Sequence, residues 1–415
     1  MKSRLMVRLR RPNLLIIGAS GGVARAFLRR LPGLREHFGQ LLLLDKNRRV
    51  LTDRHLDHAR LDYEFVKRRL NLPQDEAWFL RLLKTHRIHL VLDVSTHPTL
   101  PMLETMERAS LPYVNTSLND PRLEVTELVE RIDKLRERPA SAPRILCAGM
   151  NPGVVDLWVR HGVTRFGVPK QIVHLEYDTS MTMDRWRPVV TWCKHEFLTE
   201  TTWDRTGVFD GKGVALSASN SVQNLESLTP YLAPLLPGQK FPDAFVVLHE
   251  ENITVGRALR VPSRFLYALH PRTMRYLVRR FRQQGTLRLR DIELGDNLAR
   301  RLNGTDFVAV CLEYPRRRIY YANRMDNRSL IGTNATCAQV AVGVYCALFT
   351  LMYDRLQPRM YYTGELYDTL YRQLVFANLR VEMFQCTRRG RRWVVRRHVP
   401  EVRLRQWRGA PQVVI

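Results

Sequence analysis

The residues most able to do chemistry begin at Gly18-Ala19-Ser20-Gly21-Gly22-Val23, which follow the apolar run 14–17 and precede a helix-like segment. Glycines there permit a tight turn and let backbone N–H groups approach a pyrophosphate, whose charge a helix N-terminus stabilises. The spacing is G-x-x-G-G-x-A rather than strict G-x-G-x-x-G, and its position between strand and helix carries the reading. A second apolar run, 41–44, ends in Asp45, where a carboxylate could accept both ribose hydroxyls and so select NAD. Lys46, Arg48 and Arg49 follow at once and could hold a 2′-phosphate instead, so NADP stays possible.

The elements that must position these residues alternate. Short apolar runs at 13–17, 41–44, 89–94, 113–115 and 145–147 are separated by helix-like segments, the pattern of an α/β, doubly wound Rossmann sheet over residues 1–150. Asn151-Pro152-Gly153 then opens an apolar-periodic segment, with Asn151 suited to N-cap and Pro152 to the first helical position. From there the strands shorten, with loops at 204–213 and 234–243, so a second, α+β substrate domain is expected over 151–334. Residues 335–355 read as a long buried helix rejoining the first domain, and 356–415 as a basic C-terminal extension whose tail alternates apolar residues with Arg.

Composition narrows the partners. The formal charge is +26, but only nine of the 66 basic residues are Lys and none follows Lys240, a uniform Arg bias rather than one designed patch. Aromatic and basic residues do not interleave as on single-strand platforms, so nucleic acid is not the expected partner. Six scattered Cys without a C-x-x-C pair indicate neither a metal site nor a disulfide framework. The first apolar run is too short for a signal peptide, and the stretch 335–353 contains Thr336, Gln339 and Thr350, so a cytoplasmic protein without a membrane span is expected.

Further blocks carry a resemblance. Val94-Ser95-Thr96-His97-Pro98, Tyr113-Val114-Asn115-Thr116 and Gly149-Met150-Asn151-Pro152-Gly153 resemble the saccharopine dehydrogenase superfamily. Glu176-Tyr177-Asp178-Thr179-Ser180, Thr201-Thr202-Trp203, His249-Glu250-Glu251-Asn252, Tyr267-Ala268-Leu269-His270-Pro271 and Asn334-Ala335-Thr336-Cys337-Ala338-Gln339 follow the order of blocks in homospermidine synthases. The resemblance spans about residues 13–355. It implies a cofactor site at Gly18, Ser20, Gly21, Gly22, Val23, Asp45, Ser95, Thr96, Asn115 and Asn151, with Asn151 also beside the nicotinamide. It implies that Glu176 and Trp203 contact a cationic substrate and that His249 shuttles protons. The family's Glu eight residues after the Trp is replaced by Gly211, leaving Asp210 as a possible substitute, and the family's Gly-Trp-Gly-Thr-His stretch is missing.

The implied activity is NAD-dependent oxidation of a diamine to an iminium, coupling to a second amine and reduction of the Schiff base by the same cofactor. A small-molecule amine is the expected partner, in a homodimer. Reductive amination of an amino acid with a keto acid, or an inactive nucleotide-binding homologue, are the alternatives.

Overall fold

The computed structural model describes residues 11–295, 302–390 and 392–400, in two compact units. The first comprises the described residues up to Val154 together with Val340–Asn378; the second comprises Val155–Gln339 and the described residues from Leu379 onward.

The first unit is built on a seven-stranded parallel sheet. Its order is Met360–Tyr362, Arg144–Leu146, Tyr113–Asn115, Leu90–Asp93, Leu14–Ile17, Leu41–Asp45, Tyr63–Lys67. The central strands are continuous apolar runs because helices cover both faces; Leu14, Leu15 and Ile16 are fully buried, as are Leu41, Leu42 and Leu43. Strand order reverses between Leu14–Ile17 and Leu90–Asp93, which pair in parallel from Leu14↔Leu90 to Ile17↔Asp93. In such sheets ligands bind beyond the carboxyl ends of the strands at this reversal. The fold is therefore the expected Rossmann type with a second mixed-sheet unit.

The second unit holds a ten-stranded mixed sheet centred on Gln171–Asp178. That strand pairs in parallel with Pro262–Leu269 and antiparallel with Thr305–Tyr314. Alternation along it divides the chemistry. Val173, Leu175 and Tyr177 enter one apolar core with Ala244, Leu266 and Phe307, while His174, Glu176 and Asp178 face the other side. Each of these three polar side chains is at least 95% buried.

Several expectations change. Asn151 does not cap a helix: the Asn151–Pro152 peptide is cis, and the helix Val154–Phe166 begins after Gly153, whose φ of +138° only glycine adopts readily. Residues 204–213 are not simply a loop, since Gly207–Asp210 and Val214–Leu216 pair as a hairpin. Nor do the described residues of 356–400 stand apart. Met360–Tyr362 extends the parallel sheet, and Glu382–Arg389 with Arg392–His398 forms a hairpin at the edge of the mixed sheet. The reason is packing: Trp393 lies against the mixed-sheet core, with the Arg318 guanidinium 4.9 Å from its ring centroid. Residues 401–415 lie outside the described ones. The helix Ala335–Tyr353 is long and apolar enough to cross a membrane, but 94% of its apolar window is buried inside the protein.

Candidate functional site

Two constellations stand out, one in each unit. In the first, the chain leaves strand Leu14–Ile17 through Gly18 at φ +79°, where an added Cβ would lie 2.9 Å from Ser95. Both the backbone sign and the close approach require glycine. The helix Gly22–Arg30 has no side-chain cap at Gly21 and no acidic residue in its first turn, so its first N–H groups and positive dipole end remain available to an anion. Asp45 is locked in place: Oδ2 accepts from the Ser20 backbone N at 2.9 Å and Oδ1 from the Asn47 backbone N at 2.9 Å. The Ser20 hydroxyl meanwhile donates to Asn47 O at 3.0 Å. Each carboxylate oxygen keeps a second lone pair for a hydroxyl donor. Lys46, Arg48 and Arg49 are exposed beside it.

Ser95 donates to Asp93 from both its backbone N (3.0 Å) and its hydroxyl (2.7 Å), and Tyr113 donates to the same buried carboxyl at 3.1 Å. Asn115 Oδ1 accepts from Cys147 N at 2.9 Å, tying two strand ends together. Cys147 adopts φ +57°, an uncommon conformation for a non-glycine residue, immediately before the Gly149–Gly153 segment. Thr96 is exposed, and Val23 and Asn151 are partly exposed.

In the second unit, carboxyl groups from three elements converge on one imidazole. His249 precedes the helix Glu250–Leu259, whose first two residues are both acidic. His249 Nδ1 lies 2.8 Å from Glu250 Oε2 and also contacts Glu251 Oε2, while Nε2 faces Glu200 Oε1 at 3.5 Å. Burial alone would discharge this ring, but Glu251, Glu250 and Glu200 outweigh it and hold its pKa well above the usual histidine value. Asp156, on the first turn of Val154–Phe166, faces the same carboxylates; burial, then Glu251 and Glu250, push its pKa well up.

Glu196 and Glu200 sit four residues apart, on Lys194–Leu198 and the π-helical turn Thr199–Trp203 that continues it. Such turns recur at functional sites. Burial, with Glu200, Glu250 and Asp204 nearby, pushes Glu196 up to about 7. His174 goes the other way, lowered to about 4 chiefly by burial, and neither of its ring nitrogens has a hydrogen-bond partner among the described residues.

Carboxyl groups in this cluster outnumber its cation. Among the described residues, Asp156, Glu196, Glu200, Glu250 and Glu251 gather around the His249 imidazolium. Burying several carboxyl groups together favours their neutral forms or a cationic ligand, and the raised Asp156 and Glu196 follow from it. His249, Glu250 and Glu251 bring ligand atoms within 4.8 Å of one another, a spacing a metal could use. The same carboxylates would equally attract an ammonium group.

Glu176 is 4% exposed on the central strand, opposite Tyr267 and Val308. Trp203 is 45% exposed, its ring edge-on to His195 at 5.1 Å, and it lines an open groove of about 540 Å³ with Thr286, Leu287, Arg288, Leu289 and Arg290. Asp210 is not brought to the cluster. It is exposed in the turn of the 207–216 hairpin, its Oδ1 accepting from Lys212 N (2.8 Å) and Gly213 N (2.9 Å). Of the residues singled out in the sequence, the structure brings His249 to this cluster and leaves Glu176 on the central strand and Trp203 at the open groove, whereas Asp156, Glu196, Glu200, Glu250 and Glu251 were not singled out as a set. The signal was available in the adjacent acidic pair after His249 and the i, i+4 carboxylates before Trp203.

Together these features define the class: one unit with a Rossmann-type fold and one α+β unit with a buried acidic cluster. No family model matches the sequence, and no curated protein does. Among solved structures, the homospermidine synthase of Legionella pneumophila in complex with NAD is similar to this chain. It is 15% identical, with a TM-score of 0.71 over 88% of this chain and 89% of that one. An amine dehydrogenase from Mycobacterium smegmatis aligns more loosely, at 8% identity and a TM-score of 0.40 over 86% and 96%. A WlbA dehydrogenase from Thermus thermophilus, in complex with NAD and alpha-ketoglutarate, aligns at 14% identity and 0.32 over 84% and 97%.

Proposed function

We propose that the chain is an NAD-dependent oxidoreductase acting on a cationic amine, by the homospermidine synthase type of reaction: diamine oxidation to an iminium, coupling to a second amine, and reduction of the Schiff base. The observation that carries this reading is the excess of partly to fully buried carboxyl groups around His249. The solved homospermidine synthase binds NAD, and the glycine turn, uncapped helix and anchored Asp45 suit that cofactor here. When bound, the nicotinamide accepts and returns a hydride.

The chain's own residues supply the rest. Hydride leaves only from a carbon bearing a neutral amine, so a base must first take an N–H proton; Glu196, balanced near pH 7, fits that task. Glu200, Glu250 and Glu251 hold the cationic species, joined by Glu176 and the ring face of Trp203. His249, kept protonated, orders the three carboxylates around it. Asn151 remains the proposed neighbour of the nicotinamide.

One observation favours a second reading. Arg288 and Arg290 line the groove beside Trp203 and suit a substrate that also bears a carboxylate, as in reductive amination between an amino acid and a keto acid. Incubation with NAD or NADH and a panel of diamines, amino acids and keto acids, read by mass spectrometry, separates the two. Coupled diamine products support the first reading, carboxylate-bearing secondary amines support the second, and no turnover with any substrate overturns both.

A further inference from the structure

A second pair of buried acids lies on the same face of the mixed sheet as Glu176. Asp178 and Asp306 are directly opposite each other on paired strands, 1% and 0% exposed. Two hydroxyls connect them. Thr191 Oγ1 lies 2.7 Å from Asp178 Oδ2, Thr191 Oγ1 and Thr336 Oγ1 are 2.9 Å apart, and Thr336 Oγ1 lies 2.6 Å from Asp306 Oδ2. The other Asp178 oxygen accepts from Ser180 N at 2.8 Å, while Asp306 Oδ1 has no hydrogen-bond partner among the described residues.

The proton count settles what this chain of four groups can hold. Its three O···O contacts each need a hydrogen, and the two threonines provide only two. With both acids ionised, one contact would set lone pair against lone pair. With both protonated, a fourth hydrogen would have no acceptor in the chain, and Asp306 Oδ1, the oxygen outside it, meets none among the described residues. One carboxyl proton completes the series. The surroundings agree: burial raises both acids, and the proximity of Asp178 pushes Asp306 well above the usual range.

The geometry points to a one-proton relay, Asp178–Thr191–Thr336–Asp306, in which a single shared proton crosses from one acid to the other. Asp306 gives its proton to Thr336 Oγ1, Thr336 gives its own to Thr191 Oγ1, and Thr191 gives its own to Asp178 Oδ2. Three O–H bonds break and three form, with no group entering or leaving. Reversal restores the first state.

The frame is built to keep the contacts short. Asn334 Nδ2 donates to Thr191 O at 2.6 Å, Cys337 N donates to Asn334 Oδ1 at 2.8 Å, and Asn327 both donates to Ser180 Oγ (2.8 Å) and accepts from Ala335 N (2.9 Å). Among the described residues, Tyr267 on the sheet faces both acids together with Glu176, and Cys337 on the helix Ala335–Tyr353 donates its thiol to Thr191 O at 3.5 Å. Tyr267 is raised well above its ordinary value, first by burial and then by Glu176, Asp178 and Asp306, so it stays neutral at physiological pH. The relay lies within one unit and does not depend on the reading of the His249 cluster.

Infrared spectroscopy of the full chain at neutral pH tests it, because a protonated carboxyl has a C=O stretch separate from that of carboxylate. Asp178→Asn and Asp306→Asn should each remove the same single band from the wild-type spectrum, since either substitution lets the other acid ionise as an acceptor. Thr336→Ser should retain the band, and Thr336→Val should shift it by breaking the chain. Circular dichroism establishes that each variant is folded. Two different bands lost, no band lost, or a band indifferent to Thr336→Val would overturn the relay. If an Asn variant does not fold, the contrast between Thr336→Ser and Thr336→Val decides it alone. None of these readouts requires cofactor or amine, so a failure here is distinct from a failure of the enzymatic reading.

Discussion

Glu196 combines the two properties a base for an ammonium proton needs: it sits among carboxylates that attract the cation, and burial beside Glu200 brings it to about 7. Activity carried by its ionised form should rise as pH increases through about 7 and fall below it. Glu196→Gln should lower kcat by about a hundredfold and remove that limb, as a pH–rate profile would reveal. The same shift has a stability sign. The folded chain holds the extra proton between the ordinary value of 4.5 and about 7, so this group's contribution favours folding on the acid side and is lost as pH rises through that window. Thermal melts of wild type and Glu196→Gln at pH 5 and pH 8 should show a smaller acid-side advantage in the variant. Trp203→Ala should reduce kcat/KM for an amine about two- to fivefold while NADH binding stays within a factor of two, because a cation–π contact at so exposed a ring contributes about 0.5–1 kcal/mol. Unchanged kcat/KM would make the exposed ring incidental. Glu176→Gln keeps the shape and removes the charge, so it should cost more with a diamine than with an amino acid. Glu176 was singled out in the sequence through the resemblance of its block, not through any local pattern. The cluster as a whole was not: its members come from segments separated by nearly a hundred positions, and only the fold shows that an acidic helix start, an i, i+4 pair and Asp156 meet.

Gly18 and Gly343 show how elements, rather than side chains, set the nucleotide unit. Gly18→Ala adds a Cβ 2.9 Å from Ser95 at φ +79°, which forces the turn away from the sheet's reversal point. The variant should bind NADH at least tenfold more weakly in a fluorescence titration while circular dichroism stays near wild type; undiminished binding would mean that this turn is not the cofactor cradle. The wild type should prefer NADH over NADPH because Asp45, held by Ser20 and Asn47, repels a 2′-phosphate. Equal affinity would assign the outcome to Lys46, Arg48 or Arg49. Gly343, on the helix Ala335–Tyr353, approaches the chain at Gly149 so closely that a Cβ would lie 2.2 Å from the Gly149 carbonyl oxygen. The strand and helix rhythm of this unit was readable because parallel strands covered on both faces are short continuous apolar runs. The second unit was less readable. Its hairpin at 207–216 lies where turn residues predicted a loop, and the final hairpin joins its sheet through pairing with Arg317–Asp326, a partner more than sixty positions earlier. Local pattern identified the alternation of Arg and apolar residues there, but not the sheet that receives it.

At the scale of the molecule, a strongly basic chain encloses an acidic site, and the two act over different distances. The net charge of +26 repels a polyamine from afar, whereas the carboxylates around His249 attract it only at close range. Salt separates these effects. Between about 0.01 and 0.1 M ionic strength the Debye length falls from about 30 to about 10 Å, which weakens the distant repulsion while leaving contacts within the cluster largely intact. If the substrate is a diamine, kcat/KM should therefore rise roughly two- to threefold across that range, through faster association. If it is an amino acid with a keto acid guided by Arg288 and Arg290, the long-range force on the keto acid is attractive, and the same titration should lower kcat/KM by a similar factor. Steady-state rates at subsaturating substrate, with NAD saturating and its own salt dependence measured in parallel, read the sign directly. A fall with the diamine would mean that the local acidic field reaches beyond the basic surface, and the argument from net charge would be lost. A rise would show the molecule admitting a cation against its overall field, with the buried carboxylates around His249 as the reason that it stays.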